Sequence, residues 1–261
     1  MIGVFDSGLG GLSVLAAIAR AQPAADLTYL ADSAHVPYGS KPDEFIRKRV
    51  LAIGRYLVGH GCGLIVVACN TATAAAVQAL RDQHPGVPVV GVEPGVKPAA
   101  ASSLSRCIAI LTTESTAQSA RLKRLIADHA TSLSVHVEAC PGWATRIETL
   151  HHAEKTFTDE VTAKIMPLLD RGVDRLVLGC THYSFLIPLL DPLVAGRAEL
   201  VDVAAAVARQ VIRLSESHAH GNGYLTLLAT ARPAQLHKAL PALGLNSLLP
   251  RIRGPAVQVS V

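Results

Sequence analysis

Short apolar, β-branched runs alternate along the chain with stretches whose apolar residues recur at helical spacing. The pattern predicts strands over 1–5, 28–31, 87–92, 108–111, 133–139 and 199–203, with late strands at 226–229 and 257–261. Between them it predicts helices ending near Ala21, Gly59, Ala130, Asp170 and Ser217, and another starting at Pro233. Asp43 reads as the cap of the helix that ends near Gly59. Two further runs stand out. Residues 64–76, LIVVACNTATAAA, and 175–186, RLVLGCTHYSFL, each begin as a buried-type strand, stop at a cysteine, and continue through small polar residues into a helix. The alternation predicts an α/β fold with mainly parallel sheets flanked by helices. The two cysteine units suggest two similar domains facing each other across a crevice. Their expected extents are 1–93 with 208–261 for the first and 94–207 for the second, with the crossing at 94–98.

Composition narrows the class. Half of the 261 residues are hydrophobic, enough for a sizeable core, and aromatics make up only 4%. The net charge of +4 is spread without a basic run, so no nucleic-acid partner is expected. No apolar stretch reaches membrane-spanning length, and the N-terminus lacks the basic start and cleavage site of a signal peptide. Five cysteines with scattered spacing and no CxxC pair fit a reducing cytoplasm rather than a disulfide framework or zinc cluster.

In an open parallel sheet the carboxyl ends of the strands form the ligand crevice. Cys69 and Cys180 would each sit at such an end, and two thiols in matched settings point to proton chemistry from two sides of one substrate. A cysteine ending a buried strand is otherwise an inert small hydrophobe, the reading kept for Cys62, Cys107 and Cys140. The segment Asp6-Ser7-Gly8-Leu9-Gly10-Gly11 precedes a helix and offers backbone amides to an anion. It falls short of a dinucleotide fingerprint, because Ser13 stands where the third glycine belongs. The cluster Thr112-Thr113-Glu114-Ser115-Thr116 is either a helix cap or a carboxylate site.

These segments resemble those of glutamate racemases in the aspartate/glutamate racemase superfamily, over nearly the whole chain. The motifs are Phe5-Asp6-Ser7-Gly8-Leu9-Gly10-Gly11-Leu12, Val36-Pro37-Tyr38-Gly39, Ala68-Cys69-Asn70-Thr71-Ala72, Gly179-Cys180-Thr181-His182-Tyr183, the spacing of Thr113, Thr116 and Ser119, and the segment from Cys140-Pro141 to Glu148. Gly142, Trp143, Ser184 and Val203 depart from the usual pattern and leave pocket shape open. The resemblance implies interconversion of L- and D-glutamate for peptidoglycan, with no cofactor and no metal. It implies Cys69 and Cys180 as the two acid/bases, with Asp6 assisting the first and His182 the second; Glu148 is a further candidate. Taken alone, Asp6 reads equally as a helix cap and His182 as a solvated loop residue. Ser7, Ser40, Asn70, Thr71, Thr113, Thr116 and Thr181 would bind the substrate carboxylates, while Pro37, Tyr38 and Gly39 would close one side. A homodimer is compatible with the sequence. Another racemase of the superfamily, acting on aspartate or a hydantoin, and a binding or regulatory protein on the same scaffold are the competing readings.

Overall fold

A computed structural model of the chain describes residues 1–215 and 221–261. Among the described residues, ten strands form two all-parallel sheets. The first sheet holds β1 (Ile2–Asp6), β2 (Leu27–Ala31), β3 (Leu64–Val67), β4 (Val89–Gly91), and, from late in the chain, β9 (Leu225–Ala229) and β10 (Val257–Gln258), in the order β10-β9-β2-β1-β3-β4. The second holds β5 (Cys107–Thr112), β6 (Ser134–Ala139), β7 (Arg175–Leu178) and β8 (Glu199–Val201), in the order β6-β5-β7-β8.

The strands are apolar without alternation because helices cover both faces of each sheet. Every residue of β1, β2, β3, β5 and β7 is buried. On one face of the first sheet, α2 (Asp43–Gly59) and α3 (Asn70–Gln83) pack over Phe5, Leu30, Ile65 and Val67. On the other lie α1 (Leu12–Ala21) and α10 (Ala204–Leu214), in a core that runs on without a break to α8 (Lys155–Asp170) and α9 (Ile187–Val194) of the second sheet. The far face of the second sheet is closed by α4 (Val96–Ser102) and α6 (Ala120–His129). Burying each Leu, Ile or Val of such a core contributes about 1.5–3 kcal/mol.

The two cysteine units are built alike. Ala68 N–H donates to Phe5 O at 2.8 Å, and Gly179 N–H donates to Leu111 O at 2.7 Å, so each strand runs one residue past its ladder before the cysteine. The cysteines share one extended conformation, φ −140° for Cys69 and −141° for Cys180. Beyond the cysteines the two units diverge. After Cys69, α3 starts at once; after Cys180 comes a 3-10 segment, Thr181–Leu186, and only then α9. Pro188 has no N–H for the carbonyl four residues back and its ring crowds it, which breaks a continuous helix there.

Other expectations change in detail. Asp43 is not a cap: Pro42 holds that position with no side-chain bond, and Asp43 and Glu44 lie in the first turn, where their charge suits the helix dipole. The helix expected to reach Ala130 is two, α5 (Glu114–Gln118) and α6, because Ser119 turns extended and its hydroxyl caps Leu122 N–H at 3.2 Å. The crossing at 94–98 already contains the start of α4. Helix α10 ends at Leu214; the expected end at Ser217 lies outside the described residues.

Candidate active site

The candidate residues gather where the carboxyl ends of the two sheets meet. Asp6 ends β1, Cys69 follows β3, Thr113 follows β5, and Cys180 follows β7. Hydrogen-bonding contacts join the two sides. Thr71 Oγ1 lies 3.1 Å from Thr113 Oγ1 and 3.3 Å from Thr116 Oγ1. Leu9 N–H donates to Glu148 Oε1 at 2.5 Å, and Ser13 Oγ to Thr181 O at 3.3 Å.

Around Cys69 the charge is negative. Asp6 is fully buried, and its Oδ2 accepts from Gly8 N–H at 3.2 Å and Gly11 N–H at 3.0 Å, while Oδ1 has no protein partner. Burial raises the Asp6 carboxyl above its ordinary value, an effect opposed by His182. Cys69 accepts a long bond from Ala72 N–H at 3.5 Å, a contact that favours the ionised sulfur. That bond is outweighed: burial first, then Asp6, hold the Cys69 thiol well above its usual range, with Cys180 adding to the effect. Cys69 therefore rests as a thiol.

Around Cys180 the arrangement is a chain. Its Sγ lies 3.6 Å from His182 Nδ1, and His182 Nε2 lies 2.6 Å from Glu148 Oε1. Burial alone would lower the imidazole; the hydrogen bonds to Cys180 and Glu148 overcome it and raise His182 well above its ordinary 6.5. A ring raised in this way holds its second proton more readily, and a proton-bearing imidazole beside a sulfur is the partner a thiolate takes. Glu148, on α7 (Trp143–Glu148), is thus central rather than peripheral. His182→Asn should remove a titration from the alkaline side of the activity profile. The proton-bearing ring supports activity below its raised folded value, and that support is lost as pH climbs through it, which places the limb on the alkaline side. The check is the pH dependence of kcat/KM in the variant and the parent.

Hydrogen-bonding groups line the junction. Asn70 is 4% exposed, and neither atom of its amide has a protein partner. Thr71, Thr113 and Thr116 form the hydroxyl cluster above; Thr113 also caps α5 through Thr116 N–H at 3.3 Å, so the cap reading and the cluster coexist. Ser7, Thr116 and Thr181 are buried. Gly39 lies against Thr113, where an added Cβ would stand 2.9 Å from the threonine Cβ. Pro37 precedes the short turn Tyr38–Ser40, and Tyr38 is buried. Ser40 is exposed, with its hydroxyl 3.5 Å from Pro37 O and none of the other site groups bonded to it. Trp143 stays out of the site: it is fully buried, edge-on to Phe157 and Tyr183. Cys62, Cys107 and Cys140 are buried, and burial pushes the Cys140 thiol up to about 12.

One supporting cluster carries no signal in the sequence. Asp32, just past β2 and wholly buried, accepts from Tyr38 Oη at 2.6 Å, Arg49 Nε at 2.9 Å, Arg49 Nη2 at 3.0 Å and Thr230 Oγ1 at 2.8 Å. Arg49 also donates to Val261 O at 2.6 Å. Burial would raise the Asp32 carboxyl, but the Arg49 and Tyr38 bonds keep it below its ordinary 3.8. Nothing local marks this set, since its members are scattered from Asp32 to Val261. Arg49→Met should lower stability at pH 7 by about 2–4 kcal/mol, because it strips a buried carboxylate of its cation. The deficit should shrink as pH falls through the lowered Asp32 value, where that ionised group's contribution is lost in the parent too. Denaturant melts at pH 7 and pH 3 test both statements.

Two strand-end cysteines, one beside a carboxylate and one 3.6 Å from an imidazole, thus stand at the carboxyl ends of the two sheets among hydroxyls and amides. Residues 2–211 match the family model described as Asp/Glu/Hydantoin racemase, and the chain belongs to that family; it is an isomerase. The relatives narrow the likeness to one activity. A glutamate racemase of Ectopseudomonas mendocina is 43% identical, over all of this chain and 97% of its own. Among solved structures, an Escherichia coli glutamate racemase in complex with L-glutamate and the activator UDP-MurNAc-Ala aligns with TM-score 0.82 at 31% identity, over 93% of this chain and 94% of that one. A glutamate racemase isoform of Bacillus anthracis aligns with TM-score 0.85 at 28% identity, over 100% and 97%. No helix among the described residues is long and apolar enough to cross a membrane.

Proposed function

We propose that the protein interconverts L- and D-glutamate by moving the α-proton between two thiols, and that it thereby supplies D-glutamate for peptidoglycan in the cytoplasm. The observation that carries this reading is the pair of strand-end cysteines with unlike partners, Asp6 beside Cys69 and the His182–Glu148 pair beside Cys180. From L-glutamate, Cys180 as thiolate takes the α-proton while the Cys69 thiol delivers one to the opposite face; from D-glutamate the roles exchange. The sum of protons is unchanged and the chain's own groups carry both steps, so no cofactor enters the scheme. The imidazolium of His182 and the protonated Cys69 describe the form ready for L-glutamate.

Asn70, Thr71, Thr113, Thr116, Thr181 and Ser7 are the donors for the two substrate carboxylates in this scheme, with Tyr38 and Gly39 closing one side. The unsatisfied amide of Asn70 supports this, because a buried polar group without a partner costs about 1–3 kcal/mol until something bonds to it. We divide the chain into one domain of 1–93 with 208–261 and another of 94–207; the membership of the two sheets supports the division, and its second boundary falls inside α10. The test is purified protein with L-glutamate and no added cofactor, followed by polarimetry, with aspartate and a hydantoin in parallel. Rotation decaying to zero with glutamate alone is the expected result. Decay with aspartate or the hydantoin instead, or with none, rejects the assignment.

A further inference from the structure

Glu148 is held at both ends. Its Oε1 receives Leu9 N–H at 2.5 Å and His182 Nε2 at 2.6 Å. Its main-chain carbonyl, left without an intrahelical donor at the end of α7, receives Gln235 Nε2 at 2.6 Å. Gln235 lies in the first turn of α11 (Pro233–Ala242), a helix attached to the first sheet through β9, whereas α7 follows β6 of the second.

Gln235 is itself fixed from the loop that bears Tyr38 and Gly39. Thr230 Oγ1 donates to Asp32 Oδ1 at 2.8 Å and accepts from Ala34 N–H at 3.0 Å. Ala231 N–H donates to Ser33 Oγ at 3.0 Å, Ser33 Oγ donates back to Ala231 O, and Arg232 Nη2 donates to Ser33 O at 2.7 Å. Arg232 is bent into the left-handed region, φ 50°, and Pro233 starts α11 immediately after it. The six residues 230–235 therefore form a strap, with one end on the 32–40 loop and the other on the residue that holds His182.

We propose that Gln235 is a positioning residue for the Cys180 half of the reaction: it seats Glu148 so that its carboxylate meets His182, and through the strap it makes that seating depend on the placement of the 32–40 loop. Gln235 does not touch the sulfurs, and its action passes through Glu148 and His182. The proposal rests on the racemase reading above. A helix-end contact serving stability alone would lower the melting temperature and leave the His182–Cys180 pair unaffected.

The full-length protein carrying Gln235→Met, which keeps the length and loses the donor, separates the two. Racemisation should show kcat reduced about tenfold with KM changed less than about twofold. Iodoacetamide labelling from pH 6 to 9, read by peptide mass spectrometry, should show the labelling rate at Cys180 altered more than about threefold and that at Cys69 unaltered. In a Glu148→Gln background, Gln235→Met should add less than about twofold to the loss, since both changes act on one link. The same factor in both backgrounds, or a lowered melting temperature with kcat and Cys180 labelling unchanged, overturns the proposal. If Gln235→Met does not fold, Gln235→Glu, which turns the donor into an acceptor at equal length, is measured against the same outcomes. A parent protein that does not racemise glutamate defeats the functional reading, and the labelling comparison still decides the role of Gln235.

Discussion

Cys69→Ser and Cys180→Ser should each abolish racemisation, with a loss of at least about a thousandfold in kcat, the scale of a positioned acid/base. A serine hydroxyl is far less acidic than a thiol, so it neither takes nor returns the α-proton at neutral pH. The fold should survive, because each sulfur is buried at a strand end and oxygen is the smaller atom. The two variants should differ on a glutamate analogue whose leaving group departs once the α-proton is removed, since one base then suffices. Cys69→Ser keeps the Cys180, His182 and Glu148 chain and should eliminate from the L isomer; Cys180→Ser keeps Cys69 and Asp6 and should eliminate from the D isomer. Product formation from each enantiomer, followed separately, gives the answer. If both variants process the same isomer, the thiols do not flank Cα and the scheme falls.

Gly10→Ala should cost about a hundredfold in kcat while leaving the fold in place. A Cβ at Gly10 would stand 2.5 Å from His182 Nδ1 and 2.8 Å from Thr181 Oγ1. Neither neighbour gives way without breaking a contact. His182 is pinned by Glu148 at 2.6 Å, and the chain at Thr181 is held by Ser13. The imidazole must therefore move away from Cys180, and a displacement near 1 Å in a catalytic group is worth about two orders of magnitude. Gly59 is the control. A Cβ there meets nothing within 4 Å, so Gly59→Ala should leave kcat unchanged. Equal activity in the two variants would show that the contact between the glycine segment and His182 is not needed.

Much of the fold and site is legible in the chain because the signals are local. The runs at β1, β3, β5 and β7 are buried on both faces and so read as continuous apolar stretches ending at Asp6, Cys69, Thr112 and Cys180. Cys69 and Cys180 are visible for the same reason. Helix starts are harder: Asp43 has the chemistry of a cap, yet Pro42 already fixes the turn before it. The break at Ser119 needs the geometry of one hydroxyl. The parts of the site that sequence does not assemble are those joined across the fold. Glu148 enters only by resemblance, since its bonds are to Leu9 and His182. Asp32 with Arg49, and Gln235 with Glu148, have no pattern of spacing at all. The bond from the helix end that favours a Cys69 thiolate is outweighed by burial and Asp6, a balance no sequence displays.

The first sheet closes only with β9, which lies beside β2 and comes near the end of the chain. During synthesis, β1, β2 and β3 leave the ribosome early, whereas β9 emerges roughly 10–40 s later at 5–20 residues per second. Until then the outer edge of β2, Leu-Thr-Tyr-Leu-Ala, carries unpaired backbone groups on an apolar strand. Such an edge invites pairing with another nascent chain. The half of the protein that begins first is thus the half that finishes last, and the second sheet, β5 to β8, can form complete within that interval. Yield in a cell should accordingly depend on whether chaperones shelter the β2 edge during that wait, rather than on the stability of the finished fold.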